Sequence, residues 1–197
     1  MADDPQDELN AGRARFFCRL GQILVTWNRC EVWARNMVQM LAGGNMRIWV
    51  LTVEINAVSL CDALNTLTND FAPEPVRPHL DHFRRYFDTM RVYRNYYAHG
   101  IINVGTFGDG SPPPGILQAF TAKGGALRVS DELVQLDRLS WILAECERLD
   151  EYGVKVIGLL GSYEPTPDFR EQAERLEKPP LPAGLSKPRE GLISQGR

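Results

Sequence analysis

The sequence predicts a mainly α-helical protein, an antiparallel bundle of about four long helices with a small β-hairpin inserted between the third and fourth helices. Apolar residues recur every three or four positions over four long stretches, which is the pattern of a helix with a buried face. Glycine and proline stand between the stretches, where they end helices. One short region instead has two strand-like runs around a glycine pair, which is typical of a hairpin.

The first helix is predicted over residues 5–42, and Gly43-Gly44-Asn45 ends it. The second helix is predicted from Met46 to Asn69, where apolar residues face almost every direction. A helix of that kind belongs in the middle of a bundle. The apolar positions of the first helix are Phe16, Leu20, Ile23, Trp27, Cys30, Ala34, Met37, Val38 and Leu41.

The third helix is predicted from about Val76 to Ala98, after three prolines and before Gly100. An insertion at 101–129 follows, in which runs at 116–121 and 126–129 flank Lys123-Gly124-Gly125 and predict the hairpin. The loop at 108–114 precedes these two runs. Ser130 is predicted to cap the fourth helix, which continues to Leu160.

The bundle is predicted as one domain over residues 5–162, since 197 residues with 44% apolar content suit a single core. Residues 163–197 are polar and rich in proline. They are expected to be a disordered tail, apart from a candidate short helix between Asp168 and Leu176.

The charge balance excludes a broadly basic surface that coats nucleic acid, because 22 basic and 25 acidic residues leave a net charge of −3. A local basic site is still allowed. No long uncharged apolar window exists and the first residues are acidic, so the protein is expected to be cytoplasmic and without membrane contact. The four cysteines lack paired spacing and are predicted to be buried free thiols: Cys18, Cys30, Cys61 and Cys146.

Two charged residues are predicted on faces that point inward. A helical wheel of the third helix places Arg94 near the centre of an apolar arc about 100° wide. The same construction places Glu31 within the apolar arc of the first helix. Burying either charge alone is costly, so we expect Glu31 and Arg94 to approach one another or to share a wet cleft. The members of the arc around Arg94 are Leu80, Phe83, Phe87, Met90 and Tyr97.

Arg94 has two interpretations, a structural ion pair between helices or part of a functional site. His99 follows five residues later, and histidine is the side chain that titrates nearest neutral pH. Five residues correspond to about 140° of rotation, so the two side chains do not share one face of a regular helix. They converge only if the helix end unwinds or a second subunit completes the site.

The run Arg94-Asn95-Tyr96-Tyr97-Ala98-His99 resembles the motif of the HEPN domains, a family of helical bundles named for higher eukaryote and prokaryote nucleotide-binding. Their signature is an Arg, usually followed by a polar residue, and a His after four to six intervening positions near the end of a core helix. The resemblance covers residues 10–160 in architecture and 94–100 in specific residues. It implies a metal-independent ribonuclease without cofactors, often a toxin or antiphage effector, that acts as a homodimer with both motifs at one cleft.

Under this resemblance His99 is the general acid or base, and Arg94 binds the phosphate of RNA and stabilises its charge. Asn95 orients the phosphate or its partner residues, and Glu31 holds Arg94 or His99 in position. Tyr96 and Arg91 are candidate RNA contacts. The family implies a nucleotidyltransferase-like antitoxin as a candidate protein partner.

Two other functions stay open. A catalytically inactive HEPN-like module would bind nucleic acid, a nucleotide or a protein, and a structural helical dimer would be unrelated to the family. His79 and His82 are predicted to be surface histidines, because no acidic or cysteine set beside them has metal-ligand spacing.

Overall fold

The computed structural model describes residues 5–99, 101–104, 115–123 and 126–183, and it is mostly helical, as predicted. The helices and strands in chain order are α1 Pro5–Leu41, α2 Met46–Val53, α3 Ala57–Phe71, α4 Arg77–His99, β1 Ile101–Val104, β2 Gly115–Lys123, β3 Ala126–Val134, α5 Leu136–Gly161 and α6 Pro167–Arg175.

The chain forms two compact units. Residues 25–91 and 144–183 make up the core unit. The motif unit consists of residues 5–24 and the described part of 92–143, and it contains the Arg94–His99 run. Helices α1, α4 and α5 each contribute one segment to each unit.

Stacked aromatic rings form the centre of the core unit. The rings of Trp27 and Phe87 stack with centroids 4.6 Å apart, and Phe83 stacks on Phe87 at 6.0 Å. All three side chains are fully buried. Offset rings of this kind add about 0.5–1.5 kcal/mol per pair to the stability that comes from area burial alone. The sequence signal for this core was the apolar spacing along α1 and α4.

The predicted second helix is wrong in two respects. It is interrupted between Val53 and Ala57, because the Asn56 side chain accepts hydrogen bonds from the backbone of Val58 and Ser59 and so starts a new helix. Its first part, α2, is not central either, since three of its apolar side chains are more than half exposed: Val50, Leu51 and Val53.

In the motif unit the three strands pair antiparallel in the order β1-β2-β3. Lys123 at the end of β2 lies opposite Ala126 at the start of β3. Helix α5 begins at Leu136, so the prediction that Ser130 caps the fourth helix is wrong: Ser130 pairs with Ala119 in the sheet. The predicted loop at 108–114, the glycine pair 124–125 and Gly100 lie outside the described residues.

The short helix that the sequence predicts between Asp168 and Leu176 is present as α6, Pro167–Arg175. Thr166 caps α6 by accepting a hydrogen bond from the backbone of Phe169. Phe169 and Ala173, one turn apart, are buried, and Arg170 pairs with Glu74 at 2.7 Å. Two small apolar contacts and one ion pair therefore order a segment whose composition is polar. Residues 184–197 lie outside the described part of the chain.

Three of the four cysteines are buried as predicted, and Cys18 is exposed, contrary to the prediction. Burial raises the pKa of Cys61 and that of Cys146 to about 12, so both stay protonated thiols at neutral pH.

None of the described helices has a stretch long and apolar enough to span a bilayer.

Candidate functional site

The inward face of α4 is confirmed by burial. The five apolar residues that the wheel placed around Arg94 are all buried: Leu80, Phe83, Phe87, Met90 and Tyr97. Helix α4 continues to His99, so the candidate motif occupies its last two turns. The regular helix therefore carries Arg94 and His99 on directions about 140° apart.

Arg94 is half-buried, and its three guanidinium nitrogens have unequal surroundings. Nη1 donates a hydrogen bond to Oδ1 of Asn95 at 3.0 Å. Nε is buried and has no hydrogen-bond partner among the described residues. A buried donor without a partner is destabilising by about 1–3 kcal/mol, and an anionic oxygen is the acceptor that would relieve this best.

His99 is the last residue of α4 and its side chain is exposed. Among the described residues, no hydrogen bond or ion pair joins it to Arg94. The structure thus joins Asn95 to Arg94 by a hydrogen bond and leaves His99 exposed, and the functional roles of the three residues stay predictions.

The tyrosines of the motif lie against one another. The rings of Tyr96 and Tyr97 meet edge to face with centroids 5.2 Å apart. Tyr97 is buried, which confirms its predicted core position, whereas Tyr96 is half-buried. The role of Tyr96 in stacking on a base stays a prediction.

Arg138 is a residue of the motif unit that the sequence reasoning missed. Its guanidinium lies over the ring of Trp141 at 4.7 Å and over that of Tyr93 at 5.2 Å. Desolvation disfavours its charge, but hydrogen bonds with Tyr97 and Tyr93 outweigh this effect and raise the pKa of Arg138. The spacing of Arg138 and Trp141, three residues apart on one helix, was a signal for this contact.

Arg138 and Arg94 are both linked to Tyr93 at the end of α4. Tyr93, which Arg138 covers, directly precedes Arg94 in the chain, and Tyr97 is the residue one turn later. Aromatic rings hold the cation of Arg138 in place without neutralising it. A site of this composition is suited to an anion that also offers a flat ring.

Glu31 belongs to the core unit, where both oxygens of its carboxylate are bound. Trp27 donates its indole N–H to one oxygen at 2.6 Å, and Arg35 donates to the other at 3.2 Å. Both partners lie one turn away on α1 itself. These contacts explain how a carboxylate is tolerated on an apolar face, and the predicted pairing of Glu31 with Arg94 stays a prediction.

Arg91 is held by a carboxylate on its own helix. It donates to Asp88 at 2.9 Å through Nε and at 2.7 Å through Nη2. Because Asp88 balances part of its positive charge through these two contacts, Arg91 would attract a further anion less strongly than an unpaired surface arginine would. Its role as an RNA contact stays a prediction.

The prediction of surface histidines is wrong for His79. This residue is 4% exposed, and its two ring nitrogens lie 3.0 Å from the Tyr152 hydroxyl and 2.9 Å from the carbonyl oxygen of Ala173. His82 is half-buried, with Nε2 at 2.7 Å from the carbonyl oxygen of Pro179. The partners of both histidines lie more than 70 residues away in the chain. The local sequence pattern therefore could not predict these contacts.

Two buried carboxylates of the core unit have structural partners. Asp150 accepts hydrogen bonds from Trp33 at 2.7 Å and from Arg29. Glu145 accepts from the Tyr86 hydroxyl and from Arg148. Burial and hydrogen bonding with Glu145 raise the pKa of Tyr86. In the described part of the chain, no group of three or more His, Cys, Asp and Glu side chains is placed to hold a metal ion.

Comparisons with family models, with curated proteins and with solved structures give no match for this chain.

Proposed function

We propose that this protein is a metal-independent endoribonuclease of the HEPN type, with Arg94 and His99 as its catalytic residues. The observation that carries the proposal is the Arg94 guanidinium, which is half-buried at the end of α4 and whose buried Nε–H has no hydrogen-bond partner in the described part of the chain. Its geometry suits a phosphate, which offers several oxygens to a planar cation.

The chemistry needs only groups that this chain supplies. RNA carries its own nucleophile, the 2′-hydroxyl, which attacks the adjacent phosphorus and expels the 5′-oxygen of the next nucleotide. His99 takes the proton from the 2′-hydroxyl or gives one to the leaving 5′-oxygen, and solvent water carries out the other of these two proton transfers. Arg94 stabilises the negative charge that develops on the phosphorane oxygens, and Asn95 orients Arg94 through their hydrogen bond.

The proposed site needs two copies of the chain. Arg94 and His99 leave a regular α4 about 140° apart, so the Arg94 of one copy and the His99 of another would face one phosphate. The proposal includes a role as a toxin or antiphage effector in the cytoplasm, restrained by a nucleotidyltransferase-like antitoxin.

The test is cleavage of total RNA in EDTA by the wild type and by three folded variants. We expect Arg94→Ala to lower the rate about 10²–10³-fold through lost charge stabilisation, and His99→Ala about 10²–10⁴-fold through lost proton transfer. Arg85→Ala is the matched control, because it removes an exposed arginine from the same helix and should cleave normally. The products should carry 2′,3′-cyclic phosphate and 5′-hydroxyl ends, and DNA should stay intact.

Equal cleavage by all four proteins would overturn the assignment and point to a contaminating nuclease.

A second function is favoured by one observation, the exposure of His99 away from Arg94 in a single chain. It is a catalytically inactive HEPN-like module that binds nucleic acid, a nucleotide or a protein. Absence of cleavage, together with RNA binding that Arg94→Ala weakens, would support this second function.

A further inference from the structure

The C-terminal arm, defined here as residues 167–183, is fastened to the core unit by two histidines of α4. Nε2 of His79 lies 2.9 Å from the carbonyl oxygen of Ala173, and Nε2 of His82 lies 2.7 Å from that of Pro179. Both contacts reach the backbone of the arm, one within α6 and one beyond it. The two imidazole rings therefore hold the arm together with the Arg170–Glu74 ion pair and the burial of Phe169 and Ala173.

The hydrogen-bond partners of His79 fix its protonation state. A carbonyl oxygen only accepts, so the Nε2–H of His79 must donate to Ala173. Nδ1 of the neutral ring is then an acceptor for the Tyr152 hydroxyl at 3.0 Å. The neutral ring satisfies both partners at good distances, as a buried polar group should.

A second proton on His79 would disturb this arrangement. Nδ1 would become a donor, and the Tyr152 hydroxyl would have to turn its proton toward another acceptor. The acceptor at hand is the backbone oxygen of His79, at 3.4 Å, which is long for a hydrogen bond. Protonation thus reverses the hydrogen bond between Nδ1 and Tyr152, leaves the hydroxyl proton only the distant acceptor, and puts a cation in a buried place.

The charged groups around the two rings would not stabilise a positive charge on either imidazole. In the described part of the chain, neither ring is hydrogen-bonded to a carboxylate, and the Lys178 ammonium on the arm repels positive charge on both. Glu74 is paired with Arg170, and Asp81 with Arg84. The titratable and charged groups around the rings are Glu74, Asp81, Arg85 and Tyr86 on the α4 side, Arg148, Glu151, Tyr152 and Lys155 on α5, and Arg170, Glu174, Glu177 and Lys178 on the arm.

We propose that the C-terminal arm is an acid-released strap, which His79 and His82 hold on the core unit while their rings are neutral and which detaches when the rings take up protons. Detachment uncovers the apolar surfaces that Phe169 and Ala173 bury in the docked arm. The device is independent of the proposed nuclease activity, because it uses neither Arg94 nor His99.

The direction in which pH changes the docking of the arm follows from the number of protons that the docked and the released states bind. Burial lowers the pKa of His79 and that of His82 from the ordinary value of 6.5, and Lys178 adds to both effects. Well above pH 6.5 both rings are neutral in the docked and in the released state. Below it, the released state binds more, so docking weakens as the pH falls. At pH 5.5 the loss is at most about tenfold per histidine, since a free imidazole is then about 90% protonated.

Hydrogen exchange of the full chain, read by mass spectrometry at pH 7.5 and 5.5 and corrected for intrinsic rates, tests the proposal. We expect protection of peptides from 167–183 to fall about 10- to 100-fold at pH 5.5, while peptides from α3 keep their protection. The double variant His79→Gln and His82→Gln retains amide donors but does not titrate, so its arm should be equally protected at both pH values. His99→Gln removes the one remaining histidine of the chain and should behave as wild type.

Equal protection of the wild-type arm at both pH values would overturn the proposal, and so would an unchanged fall in the double variant. Loss of protection in α3 at the same pH would mean general acid unfolding and would also overturn it. If the double variant fails to dock its arm at all, histidine proton titration by NMR on the wild type decides. Two rings should titrate below pH 6.5 together with amides of the arm, and titration without any change in the arm refutes the strap.

Discussion

At the scale of single residues, Gly153 marks the tightest packing that the described glycines show. A Cβ atom at this position on α5 would lie 2.9 Å from a ring carbon of Phe83 and 3.0 Å from one of Trp33. Both rings belong to the core unit, and Phe83 is fully buried. Gly158, five residues later on the same helix, has no atom within 4 Å of such a Cβ.

We therefore predict that Gly153→Ala and Gly158→Ala have opposite effects. Gly153→Ala should lower the free energy of unfolding by about 1–3 kcal/mol, because the added methyl group forces the aromatic core apart. Gly158→Ala should raise it by up to about 1 kcal/mol, because alanine favours a helix. Urea unfolding measures both changes, and similar values for the two variants would contradict the packing described here.

The charged and titratable residues show which structural features the local sequence pattern can predict and which it cannot. Arg94 on the inner face of α4 was predictable because a helical wheel depends only on neighbours in the chain. The burial of His79 was not, because its partners Tyr152 and Ala173 are 73 and 94 residues away. Arg138 was missed because the ring of Tyr93 belongs to another helix.

At the scale of elements, the break between α2 and α3 depends on one side chain. Asn56 accepts two backbone hydrogen bonds at 3.0 Å, and without them the first N–H groups of α3 have only water. The sequence signal for this cap, an asparagine before an apolar run, was present. It was outweighed by the continuous apolar pattern from Met46 to Asn69, which suggested one long helix.

We predict that Asn56→Ala lowers the free energy of unfolding by about 1 kcal/mol through loss of this cap. Asn69→Ala is the matched control, since Asn69 lies exposed near the end of the same helix and alanine there should be neutral or slightly favourable. Thermal unfolding followed by circular dichroism compares the two variants. An equal loss of stability in both would show that the cap is not what starts α3.

At the scale of the whole molecule, the proposed nuclease depends on a second copy of the chain. We predict that light scattering gives a mass of two chains and that mixing inactive Arg94→Ala with inactive His99→Ala restores cleavage. Random exchange makes half of the dimers mixed, and each mixed dimer has one complete site out of two. The expected activity is therefore about a quarter of wild type.

Two results would oppose this shared site. A mass of one chain at assay concentrations would leave Arg94 and His99 on separate faces, and no recovery on mixing would place both residues of a site in one chain. Mixing Arg94→Ala with Arg85→Ala serves as the control for dilution, because one of its two chains keeps both Arg94 and His99, and about half of wild-type activity is expected whether or not the site is shared.

The sequence by itself determined the mainly helical class, most helix ends, the inward face of α4 and the burial of three cysteines. All of these follow from the spacing of apolar residues along the chain and from the residues that begin or end helices. Only the tertiary structure decided that apolar side chains of α2 are exposed, that residues 167–183 dock as an arm, that His79 contacts Tyr152 and Ala173, and that Arg138 covers Tyr93. These features rest on contacts between segments far apart in the chain, and such contacts have no counterpart in local spacing.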